Sequence, residues 1–153
     1  GHGVGFADLD NDGDQDIYTV LGGAYEGDNY PNICFENPIS NNNWIILKLE
    51  GVESNRSAIG TQLKLDLENG RRIYYSINTG GSFGANSLQA EIGIGSSKLI
   101  DTLTIRWPNS KAQIFKRIEG NKKYKLVEGE NKLVEEPYQK IQLKGRKIMQ
   151  HHN

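Results

Sequence analysis

The chain has 153 residues, which is enough for one compact domain with a small appendage. Its composition is 36% hydrophobic and 24% charged, which is polar but sufficient for a packed core and excludes a wholly disordered chain. The formal net charge of −1 shows no basic excess of the kind that favours nucleic acid. No run reaches the roughly 18 apolar residues of a membrane span. Neither a nucleic-acid partner nor a membrane span is therefore expected.

Charge is distributed unevenly along the chain. The first 43 residues contain eight acidic residues and no lysine or arginine, so all 18 basic residues follow them. An uncompensated acidic cluster opposes folding because like charges repel, and a bound cation is the simplest compensation. The N-terminal segment is therefore expected to hold a cation.

Short alternating runs separated by turn residues dominate the chain, a pattern typical of half-buried antiparallel strands. The alternation is clearest at Leu63, Leu65 and Leu67, and the dipeptide Asn69-Gly70 that comes next is the strongest short hairpin signal. No segment of 12 residues shows uninterrupted helical periodicity, so an all-β fold, a small antiparallel β-sandwich or barrel, is predicted. The predicted strands are 16–21, 33–36, 43–50, 61–67, 71–78, 88–94, 102–107, 113–118 and 123–127.

Two boundaries divide the chain. The polar stretch 38–43 separates the acidic N-terminal piece from the body, and charged sequence without alternation begins after residue 127. The expected units are 1–40, 41–128 and a charged tail at 129–153 that contains one further strand at 140–143. The single cysteine, Cys34, excludes an internal disulfide, and its apolar neighbours predict a buried structural thiol.

Residues 8–16 carry the clearest chemical signal. Their sequence, DLDNDGDQD, fits the spacing D-x-D-x-D-G-x-x-D. Calcium takes six to eight oxygen ligands, and carboxylates at alternate positions converge on it where the chain curls at a glycine, here Gly13. The predicted ligands of a structural Ca²⁺ are the side chains of Asp8, Asp10, Asp12 and Asp16 and the backbone carbonyl of Asp14.

Two kinds of calcium loop begin in this way. An EF-hand requires flanking helices and a glutamate at the twelfth position of the loop. That position is Thr19, within a strand-forming run, so a loop that leads directly into a β-strand is favoured. The alternatives are a solvated acidic turn without metal and a magnesium site, which is disfavoured because magnesium retains several of its waters.

Successive parts of the chain resemble two known families. The sequence FADLDNDGDQDIY at 6–18 resembles the FG-GAP/VCBS repeat, a β-propeller blade with a calcium loop, and NICFEN at 32–37 resembles the closing strand of such a blade. The sequence beyond residue 40 is similar to the ASPIC/UnbV domain of cartilage acidic protein and its bacterial relatives. The stretches that carry this likeness are SNRSAIG at 54–60, GGSF at 80–83, IGIG at 92–95 and IRWPN at 105–109.

The resemblance implies a blade remnant at 1–40 and an ASPIC/UnbV-like β domain at 41–128. One blade cannot form a propeller, because its faces need neighbours, so either propeller blades precede it in a longer parent chain or the remnant packs on the β domain, and the first is favoured. The resemblance also implies an extracellular, periplasmic or cell-surface location and a non-catalytic role in binding a protein or glycan. A glycan-binding accessory module of a surface polysaccharide system is the alternative. Possible ligand contacts in loops are Tyr25, Asn55, Arg56 and Phe83. For Asn55 and Arg56, a role in fixing the loop is favoured, because Asx side chains commonly stabilise turns.

One motif suggests an enzyme. The sequence GGSFG at 80–84 matches G-x-S-x-G, but a nucleophile elbow requires a helix directly after it, and another strand is predicted here. The only histidines are His2, His151 and His152, at the ends of the chain, so no general base is indicated. A serine hydrolase that uses Ser82 is therefore the least favoured hypothesis, and no catalytic residue is predicted.

Overall fold

The computed structural model describes residues 3–23, 25–27, 29–38, 41–81, 84–109 and 111–143. Within these ranges the chain is all-β, as the alternating pattern predicts, and it contains no helix that is long and apolar enough to cross a membrane. The strands are β1 (Gly3–Ala7), β2 (Asp16–Val20), β3 (Ile33–Phe35), β4 (Asn43–Glu50), β5 (Gln62–Leu67), β6 (Arg72–Ser76), β7 (Ala90–Gly95), β8 (Leu99–Arg106), β9 (Ala112–Glu119), β10 (Lys122–Val127) and β11 (Val134–Glu136).

The strands form three sheets. β1, β2 and β3 make a three-stranded N-terminal sheet, in that order. The strand order in the second sheet is β11-β10-β4-β7, and in the third it is β6-β5-β8-β9. The second and third sheets contribute to one hydrophobic core, which makes them the two layers of a small sandwich.

The core arises from the alternation seen in the sequence. Leu63, Leu65 and Leu67 on β5 are at most 2% exposed, because every second side chain of the strand points to the same face. Ile45 and Leu47 on β4 are fully buried and belong to the same cluster. Burial of each such side chain stabilises the fold by roughly 1.5–3 kcal/mol before the entropic costs of folding are counted.

The hairpin between β5 and β6 differs from the tightest form that an Asn-Gly pair favours. Only Gly70 has a positive φ, of 81°, whereas a two-residue type I′ turn needs positive φ at both central residues. The N–H of Gly70 donates to the carbonyl of Leu67, and the N–H of Leu67 donates to the carbonyl of Arg71. These bonds define a type I turn followed by a left-handed glycine, the common three-residue hairpin.

One strand pair is parallel, which corrects the expectation of a wholly antiparallel fold. β10 runs parallel to β4, and all other strand pairs of the described residues are antiparallel. The chain reaches β10 through the two-residue connection 120–121, which leads from β9 in one sheet to β10 in the other. Glycine fits best at position 120, since a Cβ would lie 2.7 Å from Cδ1 of Ile94 and 3.2 Å from the carbonyl oxygen of Lys98.

Two local predictions are wrong. The strand expected at 140–143 is absent. The strand of this region is β11, which begins six residues before the predicted position and pairs with β10. Cys34 is exposed and not buried. It lies on β3, an edge strand of the N-terminal sheet, where a side chain has a neighbouring strand on one side only.

Candidate metal site

The aspartate loop, residues 8–16, joins β1 to β2. Ala7 and Asp16 are paired across the two strands, so both ends of the loop are fixed at the same level of the sheet. The curl between them uses left-handed backbone at Asn11, with φ of 59°, and at Gly13, with φ of 98°. Asparagine and glycine are the residues that adopt this region most readily, which explains why this sequence closes into a tight loop.

Three carboxylates of the loop converge. Asp8, Asp10 and Asp16 are 8%, 1% and 1% exposed, and one oxygen of each lies within 4.8 Å of the others. Such a concentration of negative charge is costly in a buried site unless a cation compensates it. In agreement, burial raises the pKa of Asp8 above its ordinary value, in spite of the hydrogen bonds that it accepts.

The loop backbone already uses some of these oxygens. The N–H groups of Asp12 and Gly13 donate to the two oxygens of Asp8 at 3.0 and 2.7 Å, and the N–H of Leu9 donates to Asp16 at 2.9 Å. Each carboxylate oxygen has two lone pairs, so these bonds orient the carboxylates and leave acceptor capacity for a cation.

The side chain of Asp14 has no hydrogen-bond partner, although its backbone N–H donates to Asp12 at 3.1 Å. Both of its carboxylate oxygens are buried, and neither has a hydrogen-bond partner. Burial, together with the negative charges of Asp12 and Asp16, raises its pKa to about 6. An unpartnered buried carboxylate that feels the negative charge of four neighbouring aspartates is the expected signature of a cation site.

The C-terminal strap, residues 137–141, lies against the same loop. The hydroxyl of Tyr138 donates to Asp8 at 2.9 Å, and the ammonium of Lys140 is 3.1 Å from Asp10 and 2.8 Å from Asp12. Burial acts to raise the pKa of Asp12, but the hydrogen bond from Lys140 helps to hold it below the ordinary value. Lys140 therefore supplies part of the positive charge that the aspartates require.

The loop also docks on the outer face of the β4 sheet. The N–H of Asp8 and the side-chain amide of Gln15 both donate to the carboxylate of Glu91 on β7, at 3.2 and 3.3 Å. Gly13 lies directly against the indole of Trp44, since a Cβ at that position would be 1.8 Å from the ring nitrogen. Gly13 is therefore needed for two reasons, its backbone conformation and this close contact.

The donor set fits calcium. The candidate ligand atoms of Asp8, Asp10 and Asp16 are all oxygens, and hard oxygen ligands in a flexible loop are what Ca²⁺ takes. The unpartnered carboxylate of Asp14 offers two further oxygens, whereas the spacing of the loop predicts only the backbone carbonyl of this residue as a ligand. Softer metals such as zinc would prefer nitrogen or sulfur ligands, and none is present in the described loop.

The other candidate ligand residues lie apart from this loop. Asn55 fixes its own turn: its amide donates to the carbonyl of Ile59 at 2.7 Å, and its oxygen accepts from the N–H of Ile59 at 2.9 Å. Arg56 forms an ion pair with Glu50 at 3.0 Å, and Tyr25 is 83% exposed. Phe83, and the Ser82 of the hydrolase hypothesis, lie outside the described residues.

The residues that complete the site were missed by sequence reasoning. Glu91, Tyr138 and Lys140 are separated from their loop partners by 83, 130 and 128 positions. No spacing rule connects residues so far apart. The strap also falls within the segment expected to be a charged tail.

The sandwich, with an acidic loop docked on one sheet, is a small all-β module with a separate N-terminal sheet. Residues 51–133 match the family model described as ASPIC and UnbV. Because the match covers more than half of the chain, the protein belongs to the ASPIC and UnbV family. The matched residues contain β5 to β10, whereas the aspartate loop and the strap lie outside them. A search of the curated proteins gives no match.

Proposed function

We propose that this protein is a calcium-stabilised, non-catalytic interaction module that acts outside the cell or at its surface and binds a protein or glycan partner. The observation that carries the proposal is the aspartate loop. Asp8, Asp10 and Asp16 converge in buried positions, and Asp14 next to them has no partner for its carboxylate. A divalent cation at their centre would remove the repulsion and satisfy the orphaned oxygens.

The role proposed for calcium is structural. A loop with this many carboxylates would leave few coordination positions open for a substrate. The same loop joins β1 to β2 and contacts Glu91 and Trp44 of the sandwich. Calcium would therefore hold the N-terminal sheet against the sandwich.

The N-terminal sheet supports the idea that this is a blade of the FG-GAP/VCBS type. Val4, Phe6, Ile17 and Phe35 share one face of the sheet and are 47%, 42%, 36% and 54% exposed. A cluster of large exposed apolar side chains is typical of an interaction surface. We propose that a preceding propeller blade of a longer parent chain packs on this face.

Two alternatives have narrower support. A glycan-binding accessory module of a surface polysaccharide system is favoured by a polar, basic groove beside Arg56. A serine hydrolase has only the sequence motif around Ser82 in its favour. An esterase screen that compares the native chain with Ser82→Ala tests it directly, and turnover that disappears in the variant would overturn the non-catalytic proposal.

Thermal unfolding in EDTA and in about 2 mM calcium tests the main proposal. With a dissociation constant of about 0.1 mM, calcium would stabilise the fold by roughly 1.8 kcal/mol, which corresponds to a Tm rise of about 4–7 °C. The rise should disappear in Asp10→Ala and persist in Asp101→Ala, a matched change at an exposed aspartate of β8. An unchanged Tm, together with no calcium by direct metal analysis, would overturn the proposal, and a rise with magnesium alone would change the metal.

A further inference from the structure

A basic groove of about 570 Å³ lies beside the middle strands of the β4 sheet. Lys48 and Glu50 of β4 and Lys125 of β10 line it, together with Arg56 from the loop after β4. Polar groups of Ser57, Ser87 and Gln89 complete its wall, with Leu88 as an apolar element. This volume lies within the range of small-ligand sites and is large enough for a short saccharide.

The loop that presents Arg56 is held rigidly. The carboxylate of Glu128 accepts the N–H groups of Val52, Glu53 and Ser54 at 2.8 to 2.9 Å. The N–H of Gly51 donates to the carbonyl of Arg56 at 3.1 Å, which closes the turn. The backbone at Arg56 is therefore preorganised, which lowers the entropic cost of binding through its side chain.

The charge of the groove is not balanced. Glu50 is 3.0 Å from Arg56 and 2.9 Å from Lys125, and it also feels the charge of Lys48. One carboxylate among three cations leaves a local excess of positive charge. The Arg56 side chain is 84% exposed, so most of its guanidinium donors face solvent. The ion pairs with Glu50 orient the two cations without neutralising the cluster.

We propose that this groove binds the anionic groups of an acidic saccharide, its carboxylates or sulfates, with Arg56, Lys125 and Lys48 as the cationic contacts. This inference rests on the proposed binding function and names its surface and ligand class. A guanidinium binds carboxylate or sulfate with two parallel hydrogen bonds, and hydroxyl and amide groups of Ser57, Ser87 and Gln89 suit sugar hydroxyls. None of the described lining residues is aromatic, so recognition depends on charge and not on ring stacking.

A saccharide suits the groove better than an acidic peptide does. β4 and β10 are both paired on two sides, so neither offers a free edge to which a peptide strand could add. The lining also lacks a deep apolar pocket of the kind that holds an anchor side chain at peptide interfaces. An acidic peptide therefore serves as the competing outcome of the test.

Isothermal titration calorimetry tests the inference with four probes: tetragalacturonate, a sulfated disaccharide, maltotetraose as the neutral control, and tetraglutamate as the acidic peptide. At about 50 mM salt, at least one acidic probe should bind, and the neutral probe should bind at least tenfold more weakly. Binding should weaken as salt rises to about 150 mM, because exposed charges are screened. The stronger acidic probe distinguishes a uronate from a sulfated ligand.

The double variant Arg56→Gln/Lys125→Gln should weaken the acidic probe at least tenfold, whereas Lys116→Gln on β9, in the other sheet, should leave it unchanged. If the double variant does not fold, Lys48→Gln alone should weaken binding at least threefold. Equal binding of acidic and neutral probes, binding that the variants do not change, or tighter binding of tetraglutamate would overturn the inference. Parallel melting curves keep the two proposals separate, since loss of the calcium effect with retained anion binding removes only the metal proposal.

Discussion

Glu128 shows how one carboxylate fixes a whole loop. It accepts three successive backbone N–H groups, the hydroxyl of Ser54 at 3.0 Å and the amide of Asn109 at 2.7 Å. Burial acts to raise the pKa of Glu128, but these donors outweigh it and lower the pKa to about 2. The charged form is therefore the one that the folded protein stabilises.

Replacement of Glu128 by Gln should destabilise the fold by about 1–3 kcal/mol at pH 7, because charge-assisted hydrogen bonds are lost. The folded pKa is below the ordinary value of 4.5, so this contribution is fully present above pH 4.5 and is lost as the pH falls to about 2. Urea unfolding of both proteins at several pH values measures the difference. Glu130→Gln, at an exposed position, is the control. A difference that does not decrease between these pH values would contradict the assignment.

Replacement of Asp14 separates the repulsion among the aspartates from their binding of calcium. In EDTA, Asp14→Asn should raise the Tm by about 2–4 °C, because it removes an unpartnered buried charge that other carboxylates repel. Addition of calcium should raise the Tm of the variant less than it raises the Tm of the native chain, since one charged ligand is lost. Melting curves in both buffers check the prediction. If the variant is less stable than the native chain in EDTA, the charge of Asp14 does not destabilise the metal-free loop, and the prediction is wrong.

At the scale of strands, the sequence predicts most of the fold. The alternating runs predict β2 to β10 within a few residues of their observed ends. β1 was missed because two of its five residues are glycines, which are unfavourable in strands, so the alternation of Val4 and Phe6 is too short to stand out. β11 was missed because its three residues, two of them glutamates, carry no strand pattern, and it exists through its pairing with β10.

The sequence likewise predicts one part of the candidate metal site and not the other. The local spacing of aspartates and Gly13 predicts the curl of the loop, because the groups that form it lie within nine residues of one another. The contacts with Glu91, Tyr138 and Lys140 depend on the packing of the loop against β7 and the strap. Those contacts arise from tertiary structure, so a local pattern carries no information about them.

The strap supplies a competitor for the metal. The ammonium of Lys140 contacts Asp10 and Asp12, two of the expected calcium ligands. Lys140→Gln should therefore tighten calcium binding about two- to fivefold, because the half-exposed ammonium no longer competes for two buried carboxylates. Calcium titration by calorimetry measures the change. Lys132→Gln, at an exposed lysine just before β11, should leave the affinity unaltered. Weaker calcium binding in Lys140→Gln would show that the lysine supports the site.

At the scale of the whole molecule, one surface connects the two ends of the chain. The aspartate loop and the strap meet on the outer face of the β4 sheet, where the ring of Tyr138 contacts Trp44 edge-on at 5.6 Å between centroids. Lys123 lies over the same tyrosine ring at 5.4 Å. The loop, the strap and the sheet therefore contact one another, and a substitution in the loop should change the stability of the sandwich.

Trp44 is a fluorescent probe of this coupling. Its indole touches Gly13 of the loop and Tyr138 of the strap, whereas Trp107, the other tryptophan, is 2% exposed in the sandwich core. Calcium should rearrange the groups around Trp44 only, so its addition should change the tryptophan emission of the native chain. Trp107→Phe should retain the calcium-dependent change.

In Trp44→Phe the fluorescence change should vanish while the calcium-dependent rise in Tm persists, because phenylalanine still covers the loop and the aspartates are intact. Fluorescence titration alongside melting curves distinguishes loss of the fluorescence signal from loss of calcium binding. A signal that survives in Trp44→Phe and disappears in Trp107→Phe would mean that calcium acts on the sandwich core and not at the docked loop. Because the indole adjoins the aspartates, its response would also tie the metal to this loop.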